Sequence, residues 1–399
     1  MINKSGKFSI DTNPFFIYIL AFGLVLIVYQ LSWSYLYPAI TWQLKMFLYT
    51  SFFVSMVLGI YISLKKTLTF TQFKNKLNIS GCLTFIIVGY ILEFIYSKQI
   101  PIISIFSSSD YVDYTTFGIP TFHVFLTTFT SFFTTYLFSC YLSEKNKKYL
   151  FYCLLLLLIP LLIFNRAMLL MNISSIIFVY LFITKKSKAK IYFKLFTFVL
   201  VLLMLFGFLG NVRSKNQNQQ SSNVDVNDFI LSVGQAKPEF VKSIIPKEYF
   251  WAYLYISSPL ANLQYNITTY HYGQDGIYDY FKYGNGELLF DFISKRLFSV
   301  FDAHPATVNN IDERLTVASI YSRSYSYIGW LGIIITFLYL MAVAIAYLLI
   351  LKSSSDFFAT GLAILNTIML FTIFDNMISF SGLSLQLVFP LIMSLRIKA

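Results

Sequence analysis

Long apolar blocks, separated by short polar segments, form the hydrophobic pattern of the chain. A helix that crosses a bilayer needs about 20 consecutive apolar residues, and ten blocks approach or reach this length. The pattern predicts an all-α polytopic membrane protein with about ten transmembrane helices. The blocks are residues 14–32, 44–63, 79–97, 121–142, 149–164, 167–184, 191–210, 327–351, 357–374 and 378–395.

The fifth and sixth blocks are separated only by Asn165 and Arg166. Together they are too long for a single crossing, so we expect a helical hairpin with its turn at these two residues. Pro160 lies just before that turn. Because proline lacks an amide hydrogen and clashes with the preceding helical turn, it predicts a kink or a break there.

Lysine and arginine are unevenly distributed between the two ends of the blocks. Segments on the side of the N-terminus hold 17 of them, whereas the short segments on the other side hold only Lys45, Lys98 and Arg166. Cytoplasmic loops of membrane proteins carry the excess of positive charge. The distribution predicts that both termini are cytoplasmic, which agrees with an even number of spans.

One connecting segment, residues 211–326, has 116 residues and carries 10 basic and 11 acidic side chains. It divides the chain into an N-terminal membrane domain of seven helices (1–210), a large external loop (211–326) and a C-terminal membrane domain of three helices (327–399). Connections of this length are usually functional or disordered. Within the loop, residues 247–256 and 287–298 have apolar residues at helical spacing, and we expect short interfacial helices on the outer membrane surface.

Composition supports the membrane assignment and argues against a soluble domain or a nucleic-acid-binding protein. The chain is 57% hydrophobic and only 12% charged, with a mean hydropathy of +0.66, whereas soluble domains have about 25% charged residues. The net charge of +12 divides into +14 on the predicted cytoplasmic side and −2 outside. It therefore reflects orientation and indicates no nucleic-acid partner. Cys82, Cys140 and Cys153 lie inside apolar blocks, with no spacing that suggests a disulfide framework or a metal site.

Arginine is concentrated on the predicted external side. Five of the six arginines are there, whereas the cytoplasmic charge is almost entirely lysine. The guanidinium group binds phosphate through two parallel hydrogen bonds and tolerates partial burial, so these residues could clamp a diphosphate. Arg166, in a two-residue turn, is the strongest candidate; salt bridges with the loop acids are the alternative for each. The five are Arg166, Arg213, Arg296, Arg314 and Arg323.

Acidic and histidine side chains on the same side are candidates for proton transfer. Asp302 and His304 lie close together in the loop, and either type of group can act as a general base towards a hydroxyl. A helix-capping or turn role is the alternative for each. His123 and Glu93 lie near the outer ends of the fourth and third blocks, where Glu93 could instead pair with Arg166. No phosphate-binding loop, dinucleotide fingerprint or zinc motif is present, so we expect no metal or other cofactor.

Three short stretches resemble the bacterial oligosaccharide repeat-unit polymerases, the Wzy-type O-antigen and capsule polymerases. Residues 100–103, followed by Tyr114 to His123, are similar to the second external loop of that family. Tyr255-Ile-Ser-Ser-Pro-Leu-Ala-Asn262 resembles its tyrosine, serine-proline, asparagine signature. Ser326-Tyr-Ile-Gly-Trp-Leu-Gly332 resembles the glycine-bearing entry into the next span, although the family often has an acid where Tyr327 stands. The number of spans, the late external loop and the lone arginine after the fifth span agree with this resemblance.

The resemblance implies a metal-independent membrane glycosyltransferase of the bacterial inner membrane. Such an enzyme transfers the growing glycan from its undecaprenyl diphosphate to a hydroxyl of the incoming lipid-linked unit. A polysaccharide chain-length regulator and a flippase are the implied protein partners, together with the lipid bilayer. The predicted catalytic residues are Arg166, Arg213, Arg314 and Arg323 on the diphosphate, with Asp302 and His304 towards the hydroxyl. The predicted substrate-binding residues are Tyr255, Pro259, Asn262, His123 and Glu93.

Two other functions remain open at this point. An O-antigen ligase, which transfers finished glycan to a lipid A core, shares this layout and usually centres on a loop histidine and arginines, so His304 favours it. A polysaccharide flippase or another transporter predicts short loops, inverted repeats and charges within the spans. Glu93 is the clearest charge inside a predicted span, and transport leaves the long loop unexplained.

Overall fold

The protein folds into a predominantly helical bundle with one small sheet. The structure, a computed structural model, describes residues 4–7, 10–70, 73, 77–103, 117–183, 189–194, 196–197, 199–201, 204, 226–269 and 276–396. The helices are α1 (Pro14–Gln30), α2 (Trp42–Lys65), α3 (Ile79–Ser97), α4 (Phe122–Glu144), α5 (Lys147–Leu156), α6 (Ile159–Leu162), α7 (Arg166–Ile183), α8 (Val226–Val233), α9 (Pro238–Val241), α10 (Tyr249–Thr269), α11 (Ile277–Leu288), α12 (Asp291–Val300), α13 (Ile320–Ile350), α14 (Phe358–Phe371), α15 (Ser381–Ser384) and α16 (Val388–Arg396).

Two short strands lie outside the helical pattern. β1 (Lys4–Lys7) and β2 (Thr67–Phe70) pair antiparallel, with Lys4 opposite Phe70. The second strand alternates threonine with apolar residues, a composition that favours extended backbone. A prediction from long apolar blocks cannot find two paired strands of four residues each. This pair joins the chain before α1 to the end of α2.

Within the part of the chain that the structure describes, four helices are long and apolar enough to cross a membrane: α2, α3, α7 and α13. These helices support a membrane protein. The fourth predicted span, α4, has 23 residues but carries many buried threonine and serine side chains, and several other predicted spans are shorter or interrupted. The first and ninth spans correspond to helices of 17 and 14 residues. The tenth is divided into α15, a 3₁₀ turn at Leu385–Leu387, and α16. Half of the seventh predicted span lies outside the described residues. The described chain therefore supports the membrane class but not the number ten.

The predicted break at Pro160 is confirmed. The helix stops at Leu156, and a four-residue helix with Pro160 at its second position follows. Asn165 then caps the next helix, because its side-chain oxygen accepts a hydrogen bond from the amide of Met168 at 2.9 Å. The chain thus turns between Leu162 and Arg166, where the sequence predicted the hairpin turn.

Helix α13 is two helices joined by a sharp reversal. Ile328 and Gly329 have non-helical backbone angles, and Gly329 has a φ of 62°, a value that favours glycine. The Ser324 hydroxyl lies 2.8 Å from the Thr336 hydroxyl, although twelve residues of straight helix rise about 18 Å. Residues 320–327, the folded-back segment, therefore pack against the start of residues 330–350. The second part alone, about 31 Å long at 1.5 Å per residue, is long enough for one crossing.

The first and last parts of the chain interlock around this segment. The Tyr18 hydroxyl of α1 is 2.6 Å from the Tyr321 hydroxyl. The side-chain amide of Asn366, on α14, donates to the carbonyl of Thr12 at 3.1 Å. The amide of Ile320 donates to the carbonyl of Thr372 at 3.0 Å. One apolar core runs through α1, α13 and α14 as a result.

The prediction of a short surface helix at residues 247–256 is wrong. These residues enter α10, a helix of 21 residues with most of its side chains buried. Phe250 and Tyr253 stack with each other and pack with Trp33, which follows α1. The aromatic residues that suggested a helix on the membrane surface pack against the bundle instead. At residues 287–298, Glu287 lies in the last turn of α11, which ends at Leu288, and a second short helix, α12, follows.

Candidate functional site

Three ionisable side chains from separate segments converge beside the folded-back segment. Arg323 belongs to that segment, Glu287 to the end of α11, and Asp375 to the connection after α14. Arg323 lies 3.8 Å from Oε1 of Glu287 and 3.4 Å from Oδ1 of Asp375. The Glu287 side chain is 0% exposed, whereas those of Arg323 and Asp375 are 37% and 48% exposed. One buried carboxyl thus holds the inner side of the guanidinium group, and one accessible carboxylate lies on its outer side.

Asn376 fixes the buried carboxyl in position. Its side-chain amide donates both to Oε2 and to the backbone carbonyl of Glu287, each at 2.9 Å. Its own side-chain oxygen accepts from the amides of Ile378 and Ser379. The connection after α14 is therefore folded around Asn376 and docked onto the end of α11.

Small hydroxylated residues complete the inner wall of the site. The Ser324 hydroxyl donates to Oε2 of Glu287 at 3.5 Å and lies 2.8 Å from that of Thr336. The Tyr283 hydroxyl lies 2.9 Å from the Thr336 hydroxyl. These contacts depend on the reversal at Gly329, because only that reversal brings residue 324 beside residue 336.

A second set of hydrogen bonds joins α12 to the connection after α14. The amide of Asp291 donates to the carbonyl of Ser379 at 2.8 Å, and the amide and hydroxyl of Ser381 both donate to Oδ1 of Asp291. From the next turn of α12, the guanidinium group of Arg296 donates to the Thr121 hydroxyl. The loop helices are thus fixed to the bundle at both ends of the site.

Burial raises the pKa of Glu287 above its ordinary value of 4.5, because a low-dielectric environment disfavours the ionised form. The Arg323 charge and the Asn376 amide act in the opposite direction without cancelling this effect. Its Oε1 has no hydrogen-bond partner among the described residues. Because the Glu287 side chain is 0% exposed, a substrate hydroxyl cannot reach it.

This pKa direction predicts how the stability of the protein depends on pH. Since the pKa of Glu287 is higher in the folded than in the unfolded state, the unfolded chain loses the proton first. The free energy of unfolding therefore falls as the pH rises above about 4.5, by at most about 1.4 kcal/mol per pH unit, until the folded-state pKa is passed. Thermal unfolding of Glu287→Gln in detergent is expected to lack this decline; an unchanged slope would show that another group causes it.

Glu93 and His123 form a separate pair, although the sequence left Arg166 as a possible partner for Glu93. Nδ1 of His123 lies 2.9 and 3.1 Å from the two carboxylate oxygens of Glu93, which is 0% exposed. Phe117 packs its ring against the imidazole ring. Gly118, with a φ of +97°, leaves no room for a side chain beside the imidazole. The structure brings together these two predicted substrate-binding residues at the ends of α3 and α4.

The other predicted arginines lie on the surface or outside the described residues. Arg166 is exposed at the start of α7, with its guanidinium carbon 4.8 Å from the centre of the Phe164 ring. Arg314 is exposed, and its backbone amide donates to Asp312. Arg213 lies outside the described residues. Arg323, in contrast, forms ion pairs with Glu287 and Asp375.

Asp302 and His304 are both exposed in the turn after α12, where Asp302 has a positive φ of 48°. Among the described residues, neither side chain forms a hydrogen bond or ion pair with Arg323 or Asp375. The positive φ of Asp302 agrees with the alternative role in a turn, since aspartate tolerates the left-handed backbone region better than most residues. Neither residue is part of the cluster around Arg323.

The residues of the tyrosine and asparagine signature lie in α10 and serve the packing of the loop. Asn262 is buried; its side chain donates to the carbonyls of Leu315 and Val317 and accepts from the amide of Ile311. Pro259 is buried inside the helix, and Tyr255 packs against Trp251. Asn262 thereby holds the extended segment that leads into the folded-back segment.

Sequence reasoning missed Glu287, Asp375 and Asn376 as site residues. The available signal was the pair Asp375-Asn376 between two apolar blocks, since ionisable residues at such positions are rare and usually functional. Glu287 begins the stretch 287–298, and only the apolar spacing of that stretch was used, to predict a helix. Among the residues that the structure describes, no three His, Cys, Asp or Glu side chains are grouped as a metal site requires.

The described part of the chain is mainly helical, and four of its helices are long and apolar enough to cross a membrane. These features agree with an all-α membrane protein. No protein-family model, curated protein or solved structure matches the chain. The site therefore has to be interpreted from its own geometry.

Proposed function

We propose that this protein polymerises undecaprenyl-diphosphate-linked oligosaccharide repeat units into O-antigen or a related surface polysaccharide. The observation that carries the proposal is the convergence of Arg323, Asp375 and the fully buried Glu287 beside the folded-back segment. Ionisable groups in such a setting are costly and cluster at functional sites. Two of the three are partly exposed and accessible to a substrate, on the face that positive-inside reasoning assigns to the exterior.

The reaction is a glycosyl transfer with a diphosphate leaving group. A hydroxyl oxygen of the incoming unit attacks the anomeric carbon of the growing glycan. As the new carbon–oxygen bond forms, the bond from the anomeric carbon to the diphosphate oxygen breaks, and its electron pair leaves with the diphosphate. The hydroxyl proton passes to the carboxylate of Asp375, which acts as general base. The guanidinium group of Arg323 faces the negative charge that develops on the leaving group.

Glu287 has a different role in this scheme. Its buried carboxyl, held by Asn376, positions Arg323 from the inner side, and a substrate hydroxyl cannot reach a side chain that is 0% exposed. The base is therefore assigned to Asp375 in place of the exposed Asp302 or His304.

The remaining arginines extend the diphosphate clamp in the proposal. Arg166→Ala and Arg213→Ala are each expected to reduce polymer yield at least about tenfold, equivalent to about 1.4 kcal/mol of transition-state stabilisation, because each removes a charged donor to the diphosphate. Polymer length and yield would be measured at equal expression, with Arg396→Ala, on the predicted cytoplasmic side, as the control. Unchanged polymer in both external variants would remove these two residues from the clamp.

A gene deletion in the native host separates the proposed function from its competitors. A lost polymerase leaves single repeat units attached to the lipid A core, whereas a lost ligase leaves no attached glycan. A lost flippase leaves the lipid-linked units on the cytoplasmic leaflet. The purified protein in liposomes should also convert lipid-linked repeat units into longer glycans without another enzyme, and failure of this conversion would contradict the proposal.

A further inference from the structure

Two short helices of the long connecting segment form a hairpin with an apolar turn. Helices α11 and α12 are joined by only two residues, Leu289 and Phe290. Five of the six residues 288–293, Leu-Leu-Phe-Asp-Phe-Ile, are apolar, whereas turns that face water are rich in glycine, proline, asparagine, aspartate and serine. The composition of this turn therefore indicates an apolar environment.

Contacts with α13 give a first measure of the depth of this turn. The Tyr339 hydroxyl donates to the carbonyl of Leu288 at 3.0 Å. The second part of α13 begins at Trp330, nine residues before Tyr339, and nine residues of helix rise roughly 14 Å. The Tyr283 hydroxyl, earlier in α11, lies 2.9 Å from that of Thr336, closer to this beginning. Helix α11 thus runs inward beside α13, and its end lies roughly 14 Å below the start of the crossing.

Contacts with α4 give a second measure. The guanidinium group of Arg296 donates to the hydroxyl of Thr121, the residue that precedes α4. The rings of Phe292 and Phe125 lie 6.2 Å apart, one turn further into α4. Helix α12 therefore rises from its turn towards the outer end of α4. From Thr121 to Phe125 and from Phe292 to Phe290 is six residues of helix, or roughly 9 Å. Both measures place the turn within the outer half of a hydrocarbon core about 30 Å thick.

The bundle supplies hydrogen-bond partners for the polar groups of the turn. Non-helical backbone at membrane depth is tolerated only where protein groups bond to it. The carbonyl of Leu288 accepts from Tyr339, and the amide of Asp291 donates to the carbonyl of Ser379 at 2.8 Å. The carboxylate of Asp291 accepts from the amide and the hydroxyl of Ser381. These groups have partners that do not depend on water.

The outer side of the turn continues the apolar surface of the neighbouring helices. Leu289 and Ile293 are 37% and 36% exposed. Beside them, α13 exposes Leu338 at 56% and α4 exposes Phe125 at 47%, on helices that the apolar pattern assigns to the membrane. Arg296 lies level with the outer end of α4, where a long cationic side chain reaches the headgroups.

We infer that α11 and α12 form a re-entrant hairpin, which enters the predicted external leaflet and returns to the same side. The partner of its outer side is the hydrocarbon of the bilayer. This inference does not depend on the proposed function. It changes the sequence expectation for residues 211–326, which treated the whole segment as external. Helices of 12 and 10 residues are too short to cross a bilayer, so a search for spans passes over them.

The test measures the collision rates of a nitroxide spin label in lipid nanodiscs. The full chain carries Cys82→Ala, which leaves only two buried native cysteines. Ile293→Cys places the label on the turn. Leu338→Cys, on the exposed side of α13, is the lipid reference, and Ile244→Cys, a fully exposed position between α9 and α10, is the water reference.

The label at Ile293→Cys is expected to collide often with oxygen and rarely with a water-soluble nickel chelate, as at Leu338→Cys. The ratio of the two rates should exceed that at Ile244→Cys at least about tenfold, a partition difference of about 1.4 kcal/mol. If Ile293→Cys lowers the unfolding temperature, Leu289→Cys reports on the same turn.

Two results would overturn the inference. A ratio equal to that of the water reference would place the turn in water, outside the bilayer. Low collision rates with both oxygen and the nickel chelate would show that protein covers the turn, either a second copy of this chain or another partner.

Discussion

Gly332→Ala is expected to destabilise the folded protein by about 3 kcal/mol, the upper end of the usual cost of overpacking. A β-carbon at Gly332 would lie 2.2 Å from the carbonyl oxygen of Ser324 and 2.9 Å from its carbonyl carbon. Both atoms belong to the backbone of the folded-back segment, so no side-chain rotation can relieve the contact. The segment would have to move away from the second part of α13, and the contact between Ser324 and Thr336 would be lost with it.

Thermal unfolding in detergent measures this effect, with Gly23→Ala as the matched control. Gly23 is also inside an apolar helix, but an added β-carbon there meets nothing within 4 Å. Since alanine favours helix over glycine by up to about 1 kcal/mol, the control should keep or raise the unfolding temperature. Equal behaviour of the two variants would mean that the folded-back segment does not press against Gly332.

Asp375→Asn is expected to lower the initial rate of polymer formation at least about 100-fold, the usual contribution of a positioned general base. Asparagine has the same shape and retains an oxygen that can accept the hydrogen bond from the amide of Asn376. It cannot take a proton from the attacking hydroxyl. The loss should therefore appear in the rate and leave the unfolding temperature nearly unchanged.

The rate would be measured with purified protein and lipid-linked repeat units in liposomes. Asp356→Asn, in the connection at the other end of α14, is the control and should retain the wild-type rate. Asp375→Glu keeps the carboxylate and should recover part of the rate, with a pH profile that Asp375→Asn lacks. Retention of more than half of the wild-type rate by Asp375→Asn would exclude this residue as the base.

The sequence predicts features whose causes are local along the chain. Apolar blocks of sufficient length predict α2, α3 and α7 with end points within two residues of those observed, and Pro160 predicts the break before the turn. Each of these depends on neighbouring residues alone, because a helix satisfies its own backbone in an apolar environment. The block at residues 327–351 also gave the second part of α13, which needs no partner to be recognised.

The site itself could be predicted only in part, because its geometry depends on contacts between distant residues. Arg323 was found through the unusual placement of arginine, but its partners come from 36 residues before it and 52 residues after it. Nothing in the apolar spacing around residues 320–332 distinguishes a straight helix from a reversal. The glycine at position 329 marks the place, yet the direction of the chain after it is set by packing.

The contacts between Tyr18 and Tyr321 and between Thr12 and Asn366 impose an order on biogenesis. The partners are separated by 303 and 354 residues along the chain. At a synthesis rate of about 5–20 residues per second, the first helix waits roughly 15–70 s before its final neighbours leave the ribosome. During that interval the Tyr18 hydroxyl can donate to Ser51 of α2, its other native partner at 3.0 Å, but its contact with Tyr321 is still missing. Helix α1 is thus inserted early but completed late, and the nascent chain is most vulnerable to membrane proteases until the last helices arrive.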